Sequence, residues 1–416
     1  MKFIPISELG QIITGHTPPT HRSEYYGDVY RLIMPTDMVL GERYVPSTAE
    51  GVSTEWATIK AKALIPKHST CVVTIGTIGK ICLTSESCFT NQAVNAIIPD
   101  TTRFDPFYIF YLLRTIVPKV KHLSSGTASG RENVSKSAFS SIEVPVCPLH
   151  CQHKIAAILS AYDDLIENNT RRIAILEAMA QAIYREWFVE FRFPGHEKVK
   201  LVDSPLGKIP AGWKHQPLVS IADVNAQSIK KGQEPDEVNY VDIASVSTGK
   251  IDEVRLLPFA EAPGRARRIV RHGDIIWSTV RPNRKSYSLI LNPLQDMIAS
   301  TGFAVISGTK APYTYLYHAL TTDDFVGYLV NHATGSAYPA VNSGDFEKAQ
   351  ILVPSEDVME EYNKITNEMF LLKHQLQVKN RNLRTTRDLL LPKLISGQLE
   401  VEDLDIETGE TVTMTE

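Results

Sequence analysis

Cysteine is scarce, five in 416 residues, and the odd number with no secreted-type spacing means that a disulfide framework does not hold this chain together. Apolar runs are short. None approaches the roughly 18 residues of a spanning helix, and the start MKFIPISELG lacks a basic segment followed by an apolar one, so the expectation is a cytoplasmic chain with no membrane partner. Glycine-x-glycine is missing throughout, which removes the glycine-rich turn that cradles nucleotide cofactors. GTIGK (76–80) has a phosphate-loop flavour, but its glycines are too close together and no Ser or Thr follows Lys80. Basic residues are missing from 400–416, where seven acids lie, and setting these aside turns the net charge of −4 into +3. That describes a mildly basic body with a solvated or partly disordered tail. With 43% hydrophobic residues the body can bury two ordinary cores.

What is present is present twice. Each half is a β-rich block followed by a long stretch without Gly or Pro. DPFYIFYLLR (105–114) leads to SSGTASGRENV and FSSIEVPV (139–146), while APYTYLYHAL (311–320) leads to ATGSAYPAV and FEKAQILVP (346–354). Pairing Gly126 with Gly335 or Val134 with Val341 gives a period of about 207 to 209, half the chain, which marks a duplicated domain and not a solenoid.

The two Gly- and Pro-free stretches keep a heptad step. From 152 to about 188 one seam is Ile155, Tyr162, Asn169, Leu176, Ile183 and the other Leu159, Ile166, Ile173, Ala180, Trp187. From 355 to 394 one seam is Tyr362, Met369, Leu376, Leu383, Leu390, and the other, Val358, Ile365, Leu372, Lys379, Thr386, weakens toward its end; Pro392 and Gly397 stop the helix. Helices of about 55 to 60 Å, at about 1.5 Å per residue, outrun a small domain. The economical solution is antiparallel pairing with each other as a strut, with Asn169 fixing register. The alternative is that each packs on its own domain's sheet.

SPLGKIPAGWKHQPL (204–218), LLLPKLISGQLEV (389–401), HKIAAIL followed by IENNTRRIAILEAMAQAIYREWF, and PISELGQIITGHTPP together make nearly the whole chain resemble the specificity subunits of type I restriction-modification systems. One departure is VPVCPLHCQH (144–153), where the family has a proline-rich step ending in a Glu-Gln pair. Cys147, His150, Cys151 and His153 stand there instead. Their spacing could ligate zinc, but no second cluster completes a framework, so substitution within a helix-start motif is preferred and no metal is expected.

The resemblance implies an α+β chain with two similar α/β target-recognition domains built on curved β-sheets, separated by a pair of long antiparallel coiled-coil helices. The expected boundaries are 1–147 for the first domain, 148–191 for the central helix, 192–354 for the second domain, 355–398 for the distal helix and 399–416 for the tail. It also implies a bipartite, asymmetric double-stranded DNA site and no active site in this chain. The partners would be two methyltransferase subunits that use S-adenosylmethionine to methylate adenine N6, together with restriction and translocase subunits using ATP and Mg, with none of these cofactors bound here. Asp105-Pro106-Phe107 resembles an adenine methyltransferase motif but has one proline too few. A fused or stand-alone methyltransferase or restriction enzyme, and a coiled-coil scaffold that reads nothing, are the alternatives.

Both halves place a donor-rich turn after a hydrophobic strand. In CVVTIGTIGKICLT (71–84) the turn holds Thr74, Gly76, Thr77, Gly79 and Lys80; in GDIIWSTVRPNRKSYSLIL (273–291) it holds Ser278, Thr279, Arg281, Asn283, Arg284 and Lys285. Amides, hydroxyls and cationic arms suit phosphates, and Arg and Asn pair bidentately with guanine and adenine edges. An ordinary solvated hairpin is the other reading. FTNQAVNAII (89–98) and IASTGFAVI (298–306) match in order and offer Asn91, Gln92, Ser300 and Thr301, as groove contacts or buried structural polars. Arg131 and Tyr338 stand in the loops before the next strand, and RARRIVRH (265–272) carries four arginines, which suit phosphate tracking or a solvated face.

Overall fold

The structure is a computed structural model that describes residues 1–124 and 132–408. Arg131 and the acidic end beyond 408 lie outside the described residues. Two compact units emerge, Met1–Asn169 with Lys379–Glu416, and Thr170–Val378, so each long helix contributes a segment to both. Among the described residues no helix is long and apolar enough to cross a membrane.

In the first unit an antiparallel sheet runs in the order Gly10–Thr14, Val94–Pro99, Thr70–Val73, Ile81–Leu83. Thr70–Val73 is buried at all four positions, which is why its sequence reads as an unbroken run and not an alternation. A second sheet orders Glu50–Val52, Tyr26–Ile33, Phe89–Thr90, the last pair parallel. Helix Pro106–His122 starts where Asp105 accepts from the Tyr108 amide at 2.8 Å and proline takes the first helical position, where no N–H is needed. It packs Tyr108, Leu112 and Ile116 against Val72, Ile81 and Leu83. Strand Lys2–Pro5 pairs antiparallel with Glu143–Val146, which leads into the first long helix.

The second unit repeats this order strand for strand. Its antiparallel sheet is Ala222–Val224, Phe303–Gly308, Ile275–Ser278, Tyr287–Leu289, and its mixed sheet is Arg255–Pro258, Glu237–Val241, Met297–Ser300 with an added edge strand, Ala266–Ile269. Lys214–Pro217 pairs with Gln350–Val353 as Lys2–Pro5 does with Glu143–Val146. Where the first unit has the single helix Pro106–His122, the second has two, Tyr313–Ala319 and Asp323–His332, the latter capped by Thr322.

The long helices are Leu149–Tyr184, extended to Val189 by a wider turn, and Glu356–Ile395. Within each unit their segments run antiparallel. In the first, Ile155 and Leu159 share a core with Leu391, Leu394 and Ile395, and Asn169 Nδ2 donates to Asn380 Oδ1 at 2.9 Å. In the second, Ala180, Trp187 and Phe188 share one with Met359, Tyr362 and Phe370, and Lys373 pairs with Glu177 at 2.5 Å. The same cores include sheet and short-helix residues, so pairing and packing on the domain coexist.

One seam is corrected. The line through Val358, Ile365, Leu372, Lys379 and Thr386 lies one residue early, for Ile365 is exposed while Met359, Thr366, Lys373, Asn380, Arg387 and Leu394 are buried. Four of these six are polar, and hydrophobicity cannot reveal them. Thr366 satisfies itself on the Tyr362 carbonyl at 2.8 Å, and the other three donate to the first helix, Lys373 to Glu177, Asn380 to the Ile166 carbonyl and Arg387 to Asp163. The helix also runs through Pro392, ending before Gly397 (φ +73°), whose left-handed turn glycine tolerates. The described start of the tail is largely exposed but anchored: Val401 is buried, and Lys154 Nζ donates to the carbonyls of Glu402 and Leu404 at 2.6 and 2.8 Å.

A charged network fixes the first unit's helices to its β-rich block. Asp163 accepts from the Arg387 guanidinium and, at 2.6 Å, from the Tyr111 hydroxyl, while Arg43 donates to Asp164 and Glu167 at 2.5 and 2.9 Å. Asp163→Ala removes the buried carboxylate bound to a guanidinium that is 1% exposed, leaving it the half-exposed Asp388 and the Gly41 carbonyl, so it is expected to cost about 3 kcal/mol in chemical denaturation. The pair Asp163→Leu with Arg387→Met should recover most of that loss. A double variant no more stable than the single one would show that the stranded charge is not the cause.

Candidate nucleic-acid interface

In each unit three loops are stitched together at the main chain. In the first, the turn between Thr70–Val73 and Ile81–Leu83 takes a hydrogen bond from Val134 N to Thr74 O at 2.9 Å and gives one from Gly76 N to Glu132 O at 2.9 Å. Thr74 N also donates to Ala93 O at 2.9 Å, which brings in the loop carrying Asn91 and Gln92. In the second, Val341 N donates to Thr279 O at 2.9 Å, Arg281 N to Pro339 O at 2.7 Å, and Thr279 N to Gly302 O at 2.8 Å. The same three bonds join the same three loops, with matching residues 205 to 209 apart.

The side chains on this frame differ. Thr77 is exposed, Gly76 and Lys80 half-buried, Thr74 and Gly79 buried. Gly76 (φ +82°) faces open space, whereas Gly79 (φ +112°) has Lys121 Cε within 2.7 Å of where a Cβ would stand. Thr74 points inward, its hydroxyl accepting from Asn95 Nδ2 at 2.8 Å, while Asn95 Oδ1 accepts from Thr14 at 2.6 Å. Lys80 Nζ donates to Pro35 O at 2.7 Å. Asn91 is half-buried and caps its own turn through the Ala93 amide at 3.1 Å, and exposed Gln92 accepts from Thr17. Thr77 and Gln92 are thus the first unit's outward members.

In the second unit the turn folds as one 3-10 helix, Pro282–Arg284, flanked by Arg281 (φ +51°) and Lys285 (φ +52°). Left-handed backbone costs a residue with a side chain about 1 to 2 kcal/mol, and the position matching Arg281 in the first unit is Gly76. Arg281 lies with its guanidinium carbon 4.6 Å from the Tyr338 ring centre and donates Nη2 to Ala337 O at 3.1 Å; Tyr338 is 69% exposed. Asn283 and Arg284 are exposed. Lys285 is engaged by Asp323 at 2.7 Å, a hydrogen bond that holds the Asp323 carboxyl below its ordinary range. Ser278 is buried against Val280, Thr279 donates to Gly302 O at 2.9 Å, and buried Ser300 accepts from the Gly302 amide at 3.2 Å. Thr301 is exposed.

Each arginine of RARRIVRH has a protein partner. Arg265 binds Asp242 at 2.6 Å, Arg267 lies over Phe259, Arg268 donates to Ser228 at 3.2 Å, and Arg271 to Gln227 at 2.6 Å. Burial raises the Asp242 carboxyl, but the Arg265 hydrogen bond and the Ala244 amide outweigh it and hold it low; burial alone lowers Arg268. Much of the basic run thus braces the mixed sheet. His153 Nδ1 lies 3.0 Å from Asp105, and His150 meets Cys151 and Glu402 at 3.2 and 3.6 Å. Among the described residues no three His, Cys, Asp or Glu side chains gather to hold a metal. What residue-type reasoning missed are backbone partners such as Ala93, Glu132, Gly302 and Pro339, since a carbonyl contact leaves no mark in side-chain identity. The signal that could have found them is the paired order of the repeats.

Residues 1–178 match the family model described as the type I restriction modification DNA specificity domain. The chain is 25% identical over 408 residues to the type I restriction enzyme MjaIX specificity subunit of Methanocaldococcus jannaschii, covering 96% of this chain and 93% of that one. It is 36% identical over 140 residues to the HindI specificity subunit of Haemophilus influenzae, 33% of this chain and 30% of that one. The crystal structure of a type I restriction-modification S subunit from M. genitalium shares the fold, with a TM-score of 0.61, 17% identity, and coverage of 94% and 95%.

The geometry separates structural from outward threonines. Thr74→Val leaves the buried Asn95 amide without its acceptor and is expected to cost about 1 to 3 kcal/mol. Thr77→Val, on the exposed tip, should change stability by less than about 0.5 kcal/mol. Equal denaturation midpoints for the two variants would contradict this division.

Proposed function

We propose that this chain, which belongs to the family of type I restriction-modification DNA specificity subunits, reads the two halves of an asymmetric DNA site with its two three-loop surfaces. The observation that carries this is the repeated main-chain frame with unlike tips: Thr77 and Gln92 on one, Arg281, Asn283, Arg284 and Tyr338 on the other. One frame with two sets of side chains is what two different half-sites require, because base edges are discriminated by side-chain donors and acceptors while backbone contacts set position. The long helices pass from one unit into the other and set the unspecified spacer. The chain supplies recognition and no chemistry. Two methyltransferase subunits bring S-adenosylmethionine to adenine N6, and restriction subunits bring ATP and Mg.

Substitution on one frame should act on one half-site. In the assembly with its modification subunits, Asn283→Ala with Arg284→Ala is expected to relax base preference about 5- to 100-fold at positions in one half-site, the size of one or two lost direct contacts. Thr77→Val with Gln92→Ala should relax the other half-site only. Selection of bound duplexes from a library randomised in both halves measures this. If both double variants loosened the same half, the two-reader account would fail.

A further inference from the structure

On the second unit's frame one half-buried cation is held in place before any DNA arrives. Arg281 sits in the left-handed region, is pinned by its own amide on Pro339 O, lies against the Tyr338 ring and gives Nη2 to Ala337 O. Lys285 is committed to Asp323, and Arg284 is exposed at the turn's tip. A phosphate can be met by any nearby cation, whereas base recognition needs the plane of the donor fixed. The guanidinium is held at two points, its carbon over the Tyr338 ring and Nη2 on the Ala337 carbonyl, and Nε, the Nη1 pair and the second Nη2 hydrogen remain as donors. The first unit has glycine at the matching place, so this side chain is retained against a backbone preference that glycine would satisfy.

We infer that Arg281, oriented by Tyr338, reads a guanine in the second unit's half-site, and that the first unit makes no counterpart of this contact from Gly76. The base follows from donor chemistry. The arginine edge only donates, and guanine alone presents two adjacent acceptors, O6 and N7, in the major groove. Adenine places a donor beside N7, cytosine offers a donor, and thymine one acceptor beside a methyl group.

This inference rests on the proposed reading of DNA by the second unit, and the test separates the two. The full chain, assembled with its modification subunits, is offered duplexes randomised in both half-sites, and base preference is read position by position for Arg281→Gly, Arg281→Lys, Tyr338→Phe and Tyr338→Ala. Glycine is the residue the first unit carries at this place, so Arg281→Gly relieves the backbone and should fold. The expected result is a G·C pair in the second unit's half-site whose preference falls on the order of tenfold to a hundredfold in Arg281→Gly and also falls in Arg281→Lys. Tyr338→Ala should weaken the same position, Tyr338→Phe should leave it intact, and the first half-site should not change. Full preference in Arg281→Lys would make the residue a phosphate anchor and overturn the inference. So would loss at an A·T pair, or no loss at any position while the Asn283 and Arg284 variants still relax their half-site. If variants at Arg281, Asn283 and Arg284 all left both half-sites unchanged, the reading of DNA by this surface would itself fall.

Discussion

Three main-chain hydrogen bonds in each unit, Val134 to Thr74, Gly76 to Glu132 and Thr74 to Ala93, and Val341 to Thr279, Arg281 to Pro339 and Thr279 to Gly302, hold the three loops proposed to read DNA. Because amides and carbonyls make these bonds, almost any side chain can occupy the loop tips without disturbing the frame. That is the condition for two copies of one fold to diverge in what they bind. The strand order is kept, and so are the turn and the parallel pair that brings Phe89–Thr90 or Met297–Ser300 beside it. The tip changes from Thr-Ile-Gly to Pro-Asn-Arg.

A second constraint sits in the helix seam. A heptad line holding Thr366, Lys373, Asn380 and Arg387 gives up apolar burial for contacts that exist in only one register. Asn380 must meet Asn169, and Arg387 must meet Asp163. A slip by one turn would bury each without its partner, at a cost greater than the modest net gain of the pairs themselves. The Arg387 and Arg43 clusters also reach Gly41, Tyr111 and Glu167, so in the first unit the register of the helices and the placement of the β-rich block are set by the same charges. For the proposed spacer, a seam of unique register is more useful than one of greatest stability.

Legibility followed the physics of each feature. The duplication, the long helices and the hairpins were readable because apolar periodicity and glycine spacing encode them. Asn169 was readable as a register residue, being polar in an otherwise apolar line. Thr366, Lys373 and Arg387 were not, since a buried polar group looks like a surface one until its partner is known. Thr74 and Ser278 looked like contact hydroxyls but face inward, because Ser278 ends a fully buried strand and Thr74 directly follows one. The arginines of 265–271 looked free because Asp242, Ser228 and Gln227 are remote in sequence. Arg281 stood out by type, but its stacking on Tyr338 depends on a loop more than fifty residues away.

Two unlike tips on one frame, joined by helices of fixed register, make a specific demand on the DNA. The most direct measurement is a map of N6-methyladenine in cells carrying this chain with its modification subunits. The account predicts two short half-sites of different sequence, separated by a constant gap in which every base is tolerated. A single uninterrupted motif, or two identical half-sites in inverted repeat, would contradict it.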